Sequence, residues 1–307
     1  TSLFCNNSLK QVKKTVLQWS FKIVNFKSSI FMIRVPSPAK LNLFLHITGR
    51  RENGYHELQS IFQLIDLYDW MEFEQTDNNS IQIEGLNSVD LEQNLIYKAL
   101  QMIKPYANID QLGLNIRIEK NIPMGAGLGG GSSNAATTLI VANKIWQCGL
   151  NTDQLADLGV KLGADVPIFI HGKNAWAEGI GEHLTFIDLD QKQYIVLKPD
   201  CFISTQLLFS QKALTRDTKS TKFCAYQIKP SDFGNAFEPL ARSLYPEVDE
   251  AMQYLDQFGV AKLTGTGACV FTEITTSMNV DEILAHSPCK SYVVNSLKES
   301  PLNHFEV

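Results

Sequence analysis

Long apolar runs are missing from this chain. Nowhere do about 18 consecutive apolar residues occur, the length a membrane-spanning helix needs, so no membrane span is expected. Paired cysteines are missing too. The six cysteines (Cys5, Cys148, Cys201, Cys224, Cys269, Cys289) are scattered, with no C-x-x-C pair. Zinc-binding and thioredoxin-type readings are left without support, and free thiols in a reducing compartment are the simplest account. There is no excess of positive charge: a formal net charge of −5 over 307 residues argues against a dedicated nucleic-acid binder. No internal repeat is visible.

Acidic residues are absent from the start of the chain, Glu52 being the first. Residues 1–31 hold five lysines, several serines and no arginine, and Met32 stands directly before a strand-like run. This stretch is read as an upstream extension without a role. The alternative is an organelle transit peptide, because such segments are acid-poor and Ser-rich. The rest of the chain is long enough for one large or two ordinary domains, and with 44% hydrophobic residues a sizeable core is expected.

The most informative stretch is PMGAGLGGGSSNAA, residues 123–136. It joins a strand-like alternation over Leu112–Ile118 to a helix-like run over Ala135–Trp146. Glycines let main-chain N–H groups close on a ligand. Those groups and the positive end of the helix dipole favour a multiply charged anion such as a phosphate chain. Ser132-Ser133-Asn134 supply helix-capping chemistry. No Lys-Ser/Thr follows the last glycine, so this is not a Walker loop. No compact strand–turn–helix–strand unit with an acid about 20 residues on follows either, which makes it a poor dinucleotide fingerprint.

Other elements follow from periodicity. Ala39–Thr48 alternates, with Leu41, Leu43, Leu45 and Ile47 on one face and Lys40, Asn42, Phe44 and His46 on the other. Asn53-Gly54 marks a turn. His56–Ile65 and Met71–Glu74 read as strands, and Asn94–Lys104 as a helix ending near Pro105. A helix over Asp153–Leu162 has Thr152 as its expected N-cap. Pro167–Ile170, Tyr194–Leu197, Lys262–Thr264 and Ala268–Glu273 read as strands, Pro246–Phe258 and Val280–Ala285 as helices, and Thr215–Lys222 as a mobile loop. The order suggests two α+β halves meeting near residue 190.

Some residues carry possible chemistry. Lys40 and Asn42 share a strand face; a lysine there is usually solvated unless a partner holds it. Asp165 is either a turn or cap residue before Val-Pro or a carboxylate able to accept a hydroxyl proton. The stretch LTGTGAC, residues 263–269, is either a tight hairpin or a second backbone close to the phosphate loop. Tyr55-His56 pairs an aromatic face with a titratable donor and acceptor, which suits a planar ring ligand; such a histidine is otherwise structural.

PSPAKLNLFLHITGRRENGYH, PMGAGLGGGSSNAA and LTGTGACVF, together with GADVPIFIHG, resemble the GHMP kinase superfamily, whose three motifs occur here in family order from Met32 onward. The resemblance implies an α+β fold. Residues 32–190 would form an N-terminal domain like ribosomal protein S5 domain 2, and residues 191–307 a ferredoxin-like C-terminal domain, with the site between them. It implies transfer of a phosphoryl group from ATP, with Mg²⁺, to a cytidine diphosphate-linked methylerythritol in non-mevalonate isoprenoid synthesis. Lys40 and Asp165 then match the catalytic pair. Pro123, Met124, Gly125, Ala126, Gly127, Leu128, Gly129, Gly130, Gly131, Ser132 and Ser133 match the ATP phosphate site, and Asn94 and Lys120 nucleotide-side positions. Asn42, Tyr55 and His56 match the substrate pocket, His56 reading the cytosine and Tyr55 stacking on it. Phe209, in the less regular segment 204–210, resembles the second aromatic of that stack. No residue is assigned as a metal ligand. A small-molecule substrate, no nucleic acid, no membrane, and a monomer or homodimer are expected. The expected address is the cytoplasm, or a plastid if residues 1–31 are a transit segment.

Overall fold

The computed structural model describes residues 32–86 and 90–305; the expectation for residues 1–31 lies outside them. Two long antiparallel strands, β1 (Met32–Arg50) and β2 (His56–Thr76), organise the molecule. The Asn53-Gly54 turn joins them, with Gly54 at φ +88°, a conformation open to glycine at no steric cost. The two segments read as separate strands over 56–65 and 71–74 are one continuous β2.

β2 lies at the centre of a six-stranded sheet. Besides β1 it pairs antiparallel with β4 (Gly113–Glu119) along Trp70–Thr76 and with β5 (Ala175–Glu178) along Ser60–Phe62. β3 (Ile81–Glu84) runs parallel to β4, and β6 (His183–Phe186) antiparallel to β5. Helices α1 (Leu95–Ile103), α2 (Gly130–Ile145), α3 (Thr152–Val160) and α4 (Val166–His171) belong to the same half. Phe73, Leu100, Leu139, Trp146 and Phe169 are among the residues of its core.

The second half is built on an antiparallel four-stranded sheet in the order β10–β7–β9–β8. Its elements are β7 (Gln193–Lys198), α5 (Thr205–Ser210), α6 (Phe223–Ile228), α7 (Glu238–Leu244), α8 (Pro246–Asp256), β8 (Lys262–Leu263), β9 (Val270–Glu273), α9 (Val280–Ala285) and β10 (Lys290–Asn295). Ile195, Leu197, Val248, Met252, Leu255 and Ile283 share its core. A third apolar cluster holds Leu41, Phe44 and Ile65 of the first half with Tyr194, Val196 and Phe271 of the second.

β1 enters all three clusters. Ile33 and Val35 join the first, Ala39, Leu41, Leu43 and Phe44 the third, and Leu45 and Ile47 the second. The pairing of β1 with β2 shifts register between Asn42 and Leu45. An irregularity of this kind re-aims the side chains beyond it, so the even alternation read along Leu41–Ile47 serves two cores. The chain's far end returns to the first half. The Leu297 N–H donates to the Leu64 carbonyl at 2.8 Å, and Leu302 and Phe305 join the first core.

Several local expectations need correction. Pro167–Ile170 is helical: Pro167 lies in the first turn of α4, where its missing N–H and fixed φ are tolerated, and burial of Val166, Ile168, Phe169 and Ile170 outweighs their β preference. α3 is capped by Asn151, whose side chain forms a capping box with Gln154, and not by Thr152. α2 begins at Gly130 behind Gly129, so Ser132-Ser133-Asn134 lie within the helix and do not cap it. Segment 204–210 contains the regular helix α5, capped by Ser204. The stretch 215–222 read as a mobile loop is tied to the sheet, Thr218 N–H donating to the Ile47 carbonyl at 3.0 Å and Thr221 N–H to Gln59 Oε1 at 2.9 Å.

Candidate active site

Two cavities adjoin the glycine loop. One, of about 330 Å³, is lined by Gly125–Gly127, Gly129–Ser132, Pro123, Met124, Asn94, Lys120 and Asn134. The other, of about 380 Å³, is bordered by Gly125, Gly127 and Gly129 together with Lys40, Asn42, Asp165, Phe209 and the second glycine turn. Every ATP-side residue expected from sequence lines the first cavity except Leu128 and Ser133. Leu128 is buried, and the Ser133 hydroxyl turns inward to Ser37 Oγ at 2.8 Å.

The loop's geometry demands glycine at particular places. At Gly127 (φ +77°) a Cβ would stand 2.1 Å from the Thr264 carbonyl oxygen. At Gly129 (φ +73°) it would stand 2.9 Å from Phe169 Cζ and 3.3 Å from Lys40 Cε. Gly129 is therefore where β1, the loop and α4 converge. Gly130 opens the 16-residue helix α2, whose first N–H groups lack helical partners and form an anion-receptive end.

The three motifs meet at one buried hydroxyl. Thr264 Oγ1 accepts from the Asn42 N–H at 3.0 Å and donates to the Gly127 carbonyl at 3.2 Å. The Cys269 N–H donates to the Ala126 carbonyl at 3.1 Å, and the Lys40 N–H to the Leu128 carbonyl at 3.0 Å. LTGTGAC is thus both a β8–β9 turn and a second backbone pressed against the glycine loop.

Lys40 is 3% exposed, not solvated as a lysine on that strand face ordinarily is. A buried ammonium must be paired and hydrogen-bonded. Its Nζ lies 3.3 Å from Asp165 Oδ2, donates to Asn42 Oδ1, and sits 5.1 Å from the centre of the Phe62 ring. Asn42 is fixed in turn by its Nδ2 donating to Ser60 Oγ at 2.7 Å. Asp165 occupies the N-cap position of α4, yet its side chain makes no capping bond. With 34% of its side chain exposed, it is free to face both Lys40 and the cavity. The arrangement places a carboxylate next to a fixed cation, within one cavity bordered by the phosphate-receptive loop.

Behind the loop lies a residue that the sequence reading missed. Asp69 is fully buried. It accepts from Lys120 Nζ, from Asn134 Nδ2 at 2.9 Å, and from the N–H groups of Asn121 and Ile122, both at 2.9 Å. Asn94 caps α1, its Oδ1 accepting from Ile96 N–H at 2.9 Å. Ser60, Phe62 and Thr264 were also not singled out individually. A usable signal existed for Asp69, a lone acid in the otherwise apolar and aromatic run Leu67–Met71.

The expected base-binding residues are only partly brought together. Tyr55 is 59% exposed, lines neither cavity and has no ring partner among the described residues. Phe209 stacks on His56 (ring centres 4.7 Å apart, 28° between planes) and packs edge-on against Phe237. The pairing of Tyr55 with Phe209 across a gap is therefore not seen; α5 leans Phe209 onto the imidazole. Burial, then the nearby Arg216 and Arg50 charges, holds the His56 pKa below its ordinary value. Among the described residues no three carboxylate, imidazole or thiol groups cluster to cage a metal ion, and no helix is long and apolar enough to cross a membrane.

A glycine loop at a helix N-terminus, facing an aspartate–lysine couple between two α+β halves, defines a small-molecule kinase. The chain belongs to the GHMP kinase family. The description "GHMP kinases N terminal domain" matches residues 94–173 and "GHMP kinases C terminal" residues 217–292. The chain is 78% identical over 276 residues to a 4-diphosphocytidyl-2-C-methyl-D-erythritol kinase of Acinetobacter baumannii, covering 90% of this chain and 99% of that protein. It is 44% identical to a protein of the same description from Marinomonas sp., covering 89% and 90% of the two. Among solved structures, a 4-(cytidine 5'-diphospho)-2C-methyl-D-erythritol kinase superimposes with TM-score 0.73 at 28% identity, covering 86% of this chain and 98% of that one. The Methanococcus jannaschii mevalonate kinase, at 19% identity and TM-score 0.65 over 89% of this chain and 100% of that one, shares the fold.

Proposed function

We propose that this chain transfers the γ-phosphoryl group of ATP to the 2-hydroxyl of 4-diphosphocytidyl-2-C-methyl-D-erythritol, a step of non-mevalonate isoprenoid synthesis. One observation carries the chemistry: Lys40 Nζ stands 3.3 Å from Asp165 Oδ2 inside the cavity that the glycine loop borders. Asp165 takes the hydroxyl proton. The alcohol oxygen then attacks the γ-phosphorus, the bond to the β,γ-bridging oxygen breaks, and ADP leaves with that electron pair. A tertiary alcohol is a poor nucleophile, so a positioned base is an effective contribution. Lys40 orients the carboxylate and offsets charge on the incoming oxygens.

Phosphoryl transfer otherwise calls for alignment and charge neutralisation. The N–H groups of Gly125–Ser132 and the N-terminus of α2 supply fixed donors for the phosphate chain. Lys120 and Asn94 sit on the nucleotide side of the loop. Mg²⁺, when present, would supply further charge neutralisation to the phosphate chain; among the described residues no three carboxylate, imidazole or thiol groups cluster to cage it, and no step above is routed through it. Residues 32–190 carry the nucleotide side together with the acceptor-side residues Lys40, Asn42, His56 and Asp165, and residues 191–307 add Phe209 and the second glycine turn. His56 and Phe209 bind the base, with Tyr55 swinging in from solvent to cover it.

A coupled ADP-release assay with the cytidine diphosphate-linked substrate tests this reading. ADP should form one-for-one with acceptor consumed. ADP release with mevalonate or homoserine, and none with this substrate, would overturn it.

A further inference from the structure

Arg216 lies between α5 and α6, in the stretch read from sequence as a mobile loop. Its guanidinium has five N–H donors and no acceptor. Nε donates to His56 Nε2 at 3.1 Å, Nη1 to the Leu214 carbonyl at 3.0 Å, and Nη2 to the Phe209 and Gln211 carbonyls, both at 2.8 Å. A donor that cannot accept forces His56 Nε2 to present its lone pair. The ring proton of a neutral imidazole must then sit on Nδ1, which has no protein partner among the described residues. The doubly protonated ring is disfavoured for the same reason, since it would set one N–H against another. The lowered His56 pKa agrees with that geometry.

We infer that Arg216 is a positioning and specificity residue: by fixing the proton on His56 Nδ1 it makes the imidazole a donor that accepts cytosine and rejects uracil. The base assignment rests on the function proposed above; the proton assignment rests on geometry alone. Cytosine N3 offers a lone pair, whereas uracil N3 carries a hydrogen. A uracil ring would therefore meet Nδ1–H donor to donor, leaving a desolvated donor unpaired. A penalty of that kind corresponds to roughly 10- to 100-fold in affinity. The same guanidinium holds the Phe209 carbonyl, so one side chain sets both the donor and the ring stacked on it.

The test has two arms on the full chain. Long-range ¹H–¹⁵N correlation of the histidine rings at pH 7.5, without ligand, should report His56 as the Nδ1–H tautomer. Arg216→Met should lose that preference, and Arg216→Lys, which still donates, should restore it. Steady-state kinetics with the cytidine and uridine forms of the diphosphate-linked substrate should show a preference for cytidine of about 10- to 100-fold in KM. That preference should shrink in Arg216→Met and recover in Arg216→Lys. An Nε2–H tautomer in the parent protein overturns the inference. So does an undiminished cytidine preference in a folded Arg216→Met protein. Should Arg216→Met not fold, the parent tautomer and the parent KM ratio decide. Turnover of neither nucleotide form would sink the proposed function while the spectrum still decided the proton assignment.

Discussion

Asp69 tests whether the glycine loop is held from behind. Its carboxylate has no solvent contact and gathers four donors, two of them main-chain N–H groups at the start of the loop. Asp69→Ala strands the Lys120 ammonium, the Asn134 amide and both N–H groups. Breaking one side of a buried ion pair costs about 3–5 kcal/mol. Each orphaned N–H costs about 1–3 kcal/mol, although losses within one shared network do not add. Against a total stability of about 5–15 kcal/mol, a loss of about 4 kcal/mol or more is expected in urea unfolding. Asp69→Asn separates the two halves of the role. Its remaining oxygen still serves Asn121 and Ile122, but its new amide faces the donors of Lys120 and Asn134. Lys120 is then released from its position on the nucleotide cavity, and the KM for ATP should rise about tenfold, the equivalent of roughly 1.4 kcal/mol, with the acceptor KM unchanged. An Asp69→Ala protein within about 1 kcal/mol of its parent, or an Asp69→Asn protein with an unaltered KM for ATP, would refute the reasoning.

Four further outcomes are expected. Asp165→Asn should cut turnover by about 10²–10⁴, the range for a general base, with titration of an ATP analogue showing binding retained; near-normal turnover removes Asp165 from the mechanism. Gly129→Ala meets a left-handed backbone, costing about 1–2 kcal/mol, and the Phe169 ring, costing about 1–3 kcal/mol by overpacking; an unchanged melting temperature contradicts the convergence argued at that point. His56→Ala should mainly raise KM for the cytidine substrate, and an unmoved KM speaks against a base-reading role. Burial holds the pKa values of His46, His56 and His171 below the ordinary histidine value. Between those lowered values and the unfolded value near ~6.5, the unfolded chain binds more protons. Stability therefore rises with pH through that window and is lost on acidification; melting temperatures measured from pH 7.5 down to 5.5 should fall, and a rise would contradict the assignment.

Much of this was written locally in the chain. The glycine loop, the strand carrying Lys40 and Asn42, and helix α9 follow from spacing and composition within short windows, and the structure holds them where those patterns put them. What failed depended on partners distant in sequence. Val166-Pro167-Ile168-Phe169-Ile170 has β-branched and aromatic residues that favour a strand, but packing against α2 and α3 makes it a helix. Lys40 looked solvated because its counter-charge is Asp165, far along the chain. Ser133 and Asn134 read as caps because their actual partners, Ser37 and Asp69, come from β1 and β2. Arg216 was invisible for the same reason, its target His56 lying in the other half of the molecule.

The most direct test of the phosphoryl-transfer centre is a crystal structure with a non-hydrolysable ATP analogue and the cytidine diphosphate-linked alcohol bound together. The γ-phosphoryl group should lie against the glycine loop, with the acceptor hydroxyl about 2.6–3.2 Å from the Asp165 carboxylate and Lys40 beside it. An acceptor hydroxyl bound away from Asp165, or a triphosphate that leaves the Gly125–Ser132 N–H groups untouched, would contradict the account.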